Sequence, residues 1–161
     1  MKVLLVAPYR RHLSKGGGVR QDIIPSEALL ALAAILRESG HEPIMRNFTT
    51  NVTEAMADPQ KHSYDTTIKL IRDEKISLVG ISFLFGGDFI AAADFARHIR
   101  ENAPEVKIIT GGIHPTTFPQ EILSNGPEFD YIAIGEGETQ MVEIADRMER
   151  GDMGDLEELS G

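Results

Sequence analysis

Two short motifs carry the chemistry of this chain: Ser82-Phe83-Leu84 and Gly111-Gly112, each just after an apolar run and with 26 residues between them. A serine hydroxyl can donate and accept a hydrogen bond. Glycine, lacking a Cβ, lets backbone approach a bulky ligand closely. Leu84 and Phe85 add apolar surface beside them. A carboxylate pair, Glu136 and Glu138, suggests acid–base work. With no second catalytic partner, these acids read instead as helix-start residues that complement the dipole and offer a hydrogen bond to a ligand amide.

The elements that must position these motifs follow from hydrophobic patterning. Leu78 to Ile81 is a buried-strand run with a β-branched bias, Asp88 to Asn102 is helical in pattern, and Val106 to Thr110 is a second apolar strand. This is a βαβ unit. Its strands must be parallel and its crossover right-handed, so the residues just past each strand emerge at the same sheet edge, and Ser82 becomes a neighbour of Gly111. Ligands of open α/β sheets bind at that carboxyl edge, where the strand order reverses.

The rest of the chain alternates in the same way. Lys2 to Ala7 is an apolar strand, and Pro8 to Pro25 is a long loop containing Gly16-Gly17-Gly18. A helix begins near Ser26 and ends at Ser39 with Gly40 as its stop, and a less apolar strand runs from about Glu42 to Phe48. Val52 to Lys75 is irregular around Asp58-Pro59, then helical from about Tyr64. A short helix near Pro119 to Ser124, a strand at Asp130 to Ile134 and a helix from Gly137 to Arg150 complete the order. Five strands alternating with helices predict an α/β fold: a doubly wound parallel sheet in the flavodoxin-like, Rossmann-like order 2-1-3-4-5. Four loops then meet at the carboxyl edge, Pro8 to Pro25, Ser82 to Gly87, Gly111 to Thr116, and Gly135 to Glu138, and three of them are glycine-rich.

Composition bounds the function. At 161 residues and 42% hydrophobic content the chain can bury a core without staples. With no cysteine it holds no disulfide, no Cys-ligated zinc and no iron–sulfur cluster of its own, and a reducing cytoplasm is the expected compartment. A net charge of −9 argues against nucleic acid and anionic membranes, which need a basic footprint. The longest apolar run, Ala28 to Leu36, is far below spanning length, and Met1-Lys2 leads into a strand rather than a signal peptide. That run has no polar residue for nine positions, so its outer surface is expected to meet another body.

Several ordered stretches resemble the cobalamin-binding domain found N-terminal to the catalytic domain of B12-dependent radical SAM enzymes. They are Leu29 to Leu36 followed by Gly40-His41-Glu42, Val79-Gly80-Ile81-Ser82, Gly111 to Thr116, and Asp130 to Glu138. The resemblance implies that the nucleotide tail of cobalamin enters at the carboxyl edge. It makes Ser82 a hydrogen-bonding partner of the tail and Gly111 and Gly112 the space beside it. Leu84 and Phe85 supply apolar surface, and one of Phe83 and Phe85 belongs to the core instead. Ile113, His114 and Pro115 follow the glycines, and the His114 imidazole is placed to contact the tail or corrin rim. Gly135, Glu136 and Gly137 complete the cofactor-binding set. A bulky residue at Gly112 is expected to fill the tail's space and leave the fold intact.

A cobalt ligand is not expected from this chain. The wider family's Asp-x-His-x-x-Gly motif would place the ligand at His12, but its aspartate position is Arg10 and its glycine is displaced to Gly16. Base-off binding without a protein ligand is the expectation, with His12 the only candidate. His41 belongs to the opposite sheet edge in a structural role, and His62 and His98 fall in polar segments as solvated side chains.

Rival ligands fail on the same loops. A receiver domain needs acids after strand one, where Val6-Ala7-Pro8 has none, and Gly16-Gly17-Gly18 lies too far from the strand for a dinucleotide fingerprint. The radical SAM chemistry that the resemblance implies requires S-adenosylmethionine and a Cys-held 4Fe-4S cluster, so both belong to a further, C-terminal domain. Residues 1–150 are the expected cobalamin domain and 151–161 an acidic linker toward it. The implied parent activity is methyl transfer or an oxidative cyclisation like that of anaerobic Mg-protoporphyrin monomethyl ester cyclase. The expected partners are that catalytic domain or a second copy through the Ala28 to Leu36 helix. A sensor or protein-interaction domain without cobalamin is the alternative.

Overall fold

The computed structural model of the chain describes residues 1–8, 26–48 and 59–153. Strands β1 (Lys2–Ala7), β2 (Glu42–Asn47), β3 (Leu78–Ser82), β4 (Lys107–Gly111) and β5 (Tyr131–Ile132) form one parallel sheet in the order β2-β1-β3-β4-β5. Helices α1 (Glu27–Glu38), α2 (Pro59–Asp73), α3 (Gly86–Asn102), α4 (Ile113–Thr117), α5 (Pro119–Asn125) and α6 (Gly137–Arg150) cover its faces and connections. The doubly wound sheet and its strand order are those expected.

Burial explains the composition of each strand. β1 lies inside the sheet, and Val3 to Ala7 are all buried, as a strand covered on both faces requires. β2 is an edge strand, and its Pro43 and Arg46 are tolerated there. One face of the sheet carries Val79, Ile81, Phe83, Phe95, Ile99 and Ile108 with Ile68 and Ile71 of α2. The other carries Leu78, Ile109, Leu29, Ala33, Leu36, Met141, Ile144 and Ala145, and so belongs to α1 and α6. Alternation along β3 therefore turns Gly80 and Ser82 toward α1 and α6 and turns Phe83 away from them.

Three elements differ from the sequence reading. The segment after β4 is a one-turn helix, α4, rather than a plain loop. α2 starts at Pro59 rather than near Tyr64, because proline suits the first helical position. β5 keeps only Tyr131 and Ile132 of the expected strand.

Helix α1 is capped by Ser26, whose hydroxyl accepts from the Leu29 amide at 3.4 Å. Its apolar run divides three ways: Leu29, Ala33 and Leu36 pack on the sheet, Leu32 is half-buried beside Ala28, and Leu30, Ala31 and Ala34 are exposed. The helix is not buried all round. One half-exposed leucine among alanines is ordinary protein surface.

At the amino edge, Asp130 ties three elements together. Its carboxylate accepts from Arg100 of α3, from Lys107 Nζ at 2.9 Å and from the Ile108 amide at 2.8 Å. Burial alone would push this carboxyl up, but the Ile108, Lys107 and Arg100 hydrogen bonds outweigh it and hold the group below the usual aspartate range.

Candidate functional site

A groove of about 370 Å³ opens at the carboxyl edge, between the amino-terminal halves of α1 and α6. Its base is β3 and β4, where Gly80 pairs with Ile109 and Ser82 with Gly111. Ala28 and Leu32 form the α1 wall, Gly137, Glu138 and Met141 the α6 wall, and Ala133, Gly135 and Glu136 the far rim. The channel exists because small residues line it from every element: Ala28, Gly80, Ser82, Gly111, Ala133 and Gly137. It lies over β3 and β4, one strand beyond the point where the strand order reverses.

The rim is braced by its own hydrogen bonds. The Gly135 amide donates to the Thr116 hydroxyl at 3.1 Å, and the Gln140 side-chain amide donates to the Ile134 carbonyl at 2.8 Å. Gln140 is itself buried, so the turn into α6 is held from beneath. Ser82 lines the groove, and among the described residues its hydroxyl has no protein hydrogen-bond partner. Glu136 is the N-cap of α6 without a side-chain cap bond, and with Glu138 it puts two carboxylates at the helix start.

Of the residues singled out from sequence, Ser82, Leu84, Gly111, Gly112, Ile113, Gly135, Glu136 and Gly137 line the groove. Phe83, Phe85, His114 and Pro115 do not. Phe83 is fully buried in the core of the opposite face, so of the two phenylalanines it is the core residue, and Phe85 is 62% exposed. The His114 ring stands 6.0 Å from Phe83 and 5.1 Å from Phe118, a packing position away from the groove. Pro115 is buried within α4. His12, with Arg10 and Gly16, lies outside the described residues. So do positions 154–161 of the expected linker, while α6 ends at Arg150.

Gly112 lines the groove, but the expectation that a bulky replacement there would spare the fold does not hold. Its φ is +119°, and a Cβ there would stand 2.3 Å from the Phe83 carbonyl oxygen. The residue allows a close crossing of two loops, so a bulky replacement would disturb the fold as well as the groove. Gly137 is the cleaner spacer: a Cβ there would meet Leu32 and Ala133 at 3.8 and 3.9 Å, ordinary contacts across the channel.

Residues 16–145 match the B12 binding domain family. The chain belongs to that family. Its relatives include an anaerobic magnesium-protoporphyrin IX monomethyl ester cyclase of Synechocystis, 24% identical over all of this chain and 30% of the cyclase. An uncharacterized methyltransferase of Pyrococcus horikoshii is 28% identical over 94% of this chain and 30% of its own length. A cyclase of the same name from Rubrivivax gelatinosus is 24% identical over 94% of this chain and 25% of its own length. The chain thus spans less than a third of these relatives. A response regulator of Thermotoga maritima, solved with Mg²⁺ and BeF, superposes with a TM-score of 0.53 at 15% identity over 92% of this chain and 96% of its own. It shows the shared fold alone.

Sequence reasoning missed Ala28, Leu32 and Met141 in the α1 and α6 walls of this B12-binding domain, with Gly80, Thr117 and Ala133. A signal for part of this was present. The parity that presents Ser82 also presents Gly80 and excludes Phe83. The long apolar run of α1 reflects a helix that packs on the sheet with one side and lines the groove with another.

The remaining described histidines lie away from the groove. His41 is buried at the opposite edge, with Nδ1 at 3.1 Å from the Met1 amino group and Nε2 at 3.2 Å from Asp146, and with Glu149 also alongside. His98 is half-buried against Tyr64 and stands 3.4 Å from Asp65, rather than being fully solvated; His62 is exposed. Among the described residues no histidine lines the groove, and no helix is long and apolar enough to cross a membrane.

Proposed function

We propose that the groove between α1 and α6 receives the nucleotide tail of cobalamin and that the corrin rests on the apolar residues at its mouth. The observation that carries this reading is the channel of small residues running inward from the carboxyl edge in a chain of the B12 binding domain family. Ligand sites typically measure about 300–1,000 Å³. A groove of about 370 Å³ suits one arm of a large cofactor rather than all of it.

Each residue then has a physical task. Ser82 offers its hydroxyl to the tail, and Gly111 and Gly137 keep the channel wide. Leu84 and Ile113 present apolar surface at the mouth, where Ile113 is 64% exposed, and Phe85 and Ile134 continue it. Glu136 and Glu138 can accept hydrogen bonds from the amides around the corrin rim. No imidazole stands in the described lining, and His12, the one histidine considered for cobalt, lies outside the described residues. When bound, the cofactor supplies a redox-active cobalt centre able to carry a methyl group.

The chain is then the cofactor-binding part of a larger enzyme in which a C-terminal radical SAM domain, with S-adenosylmethionine and a 4Fe-4S cluster, performs methyl transfer or oxidative cyclisation. The names and greater lengths of the relatives support this. Mixing the purified chain with hydroxocobalamin, removing free ligand by gel filtration and recording the visible spectrum tests the binding reading. Pigment retained in stoichiometric amount is the expected result. A colourless protein would reject cobalamin and leave the sensor or interaction domain.

A further inference from the structure

We propose that Met141 closes the inner end of the groove and makes it selective for corrinoids whose tail ends in a benzimidazole rather than a purine. The inference rests on the reading that the groove receives the tail.

Met141 sits one turn into α6 and is 4% exposed. Its terminal Cε lies 2.5 Å from the point where a Cβ on Gly80 would stand, with Sδ at 3.8 Å, so the thioether rests directly on the bare backbone of β3. Only glycine at position 80 permits this. Leu5 Cδ2 approaches the same point at 3.1 Å, and Leu32, Ile109 and Ala133 complete the surroundings.

Polarity in the groove is graded with depth. Ser82, Thr116, Glu136 and Glu138 are exposed or half-buried and stand toward the mouth, whereas Gly80, Ile109 and Met141 are buried. The inner side chains offer no strong hydrogen-bonding group, since a thioether sulfur is only a weak acceptor. The backbone there is committed as well, because Gly80 pairs with both Leu5 and Ile109 in the sheet. The Thr110 hydroxyl already donates to the Ile81 carbonyl at 3.0 Å.

A group reaching this end therefore meets carbon and sulfur. A purine carries an exocyclic amine and several ring nitrogens, all of which would leave water without replacement partners. A methylated benzimidazole has an apolar edge and makes no such demand. Sites that leave polar ligand groups unpaired discriminate against them, here by roughly tenfold or more. Methionine suits the position because its flexible thioether adapts to a flat ring and packs favourably against it.

The test is equilibrium dialysis of the chain against cobalamin and against its adenine-based counterpart, read by corrin absorbance. Cobalamin is expected to bind at least roughly tenfold more tightly. Met141→Gln places an amide at the same depth and should bring the two affinities together, whereas Met141→Leu should preserve their ratio. Each ratio compares two ligands on one protein, so a loss of stability in a variant cancels. Equal affinities in the parent chain would overturn the selectivity while leaving the tail reading intact. An unchanged ratio in Met141→Gln would overturn the role of Met141. Failure of both corrinoids to bind would overturn the tail reading and this inference with it.

Discussion

The carbonyl oxygen of Phe83 lies 2.3 Å from where a Cβ on Gly112 would stand, at a backbone φ of +119°. Two loops of the carboxyl edge cross here with no room for a side chain. Gly112→Ala is expected to destabilise the chain by about 1–3 kcal/mol from backbone strain, with the steric clash adding to it. Thermal unfolding followed by circular dichroism checks this, and an unchanged melting temperature would refute the close crossing.

Gly137 and Ser82 separate binding from folding. Gly137→Leu should leave stability within about 1 kcal/mol, because glycine is a poor helix residue and a Cβ there meets only Leu32 and Ala133, at ordinary contact distances. It should cut cobalamin affinity by roughly tenfold or more, by filling the channel between α1 and α6. Ser82→Ala removes a hydroxyl without a described protein partner and should cost about 1 kcal/mol of binding, or roughly fivefold in affinity. A spectroscopic titration measures both, and unaltered affinity in Gly137→Leu would remove the groove from consideration.

Asp130 should govern part of the acid limb of stability. Its carboxyl is held below the ordinary aspartate range in the folded chain by Ile108, Lys107 and Arg100 against the cost of burial. The stabilisation is therefore complete above the unfolded value of about 4 and is lost as pH falls through the lower folded value. Asp130→Asn should destabilise the chain by about 1–2 kcal/mol at neutral pH and flatten the stability–pH profile below about pH 4. Urea unfolding at a series of pH values would show an unaltered acid limb if the cluster contributes nothing.

Tyr64 makes the corresponding statement in alkali. Its ring packs 5.0 Å from Phe95 and 5.6 Å from Phe48, and its hydroxyl accepts from Gln60 at 3.0 Å and donates to the Ala91 carbonyl at 3.2 Å. Burial pushes this phenol up to about 12, against the opposing hydrogen bond from Gln60 and with the Asp94 charge adding to the rise. Its contribution is complete below the unfolded value of about 10 and is lost as pH rises toward 12. Tyr64→Phe should lose about 1 kcal/mol at neutral pH and the alkaline drop with it. Ultraviolet titration showing no tyrosine that ionises above the ordinary range would contradict this.

The sequence by itself determined the order of the sheet and one side of the site. Apolar runs such as Leu78 to Ile81 and Val106 to Thr110, spaced by a helical stretch, leave a right-handed parallel crossover as the physical solution, and that places Ser82 opposite Gly111. Gly135, Glu136 and Gly137 were legible for the same reason, because they end a strand and begin a helix at the same edge. Only the tertiary structure decided which faces meet. Phe83 and Phe85 are alike as residue types, and their separation into core and surface depends on which sheet face α1 and α6 cover. Met141 and Leu32 look like ordinary core positions in their helices. They become groove walls because small residues on β3, β4 and α6 leave the space between the two helices and the strands unfilled, a consequence of side-chain volumes summed across elements distant in sequence.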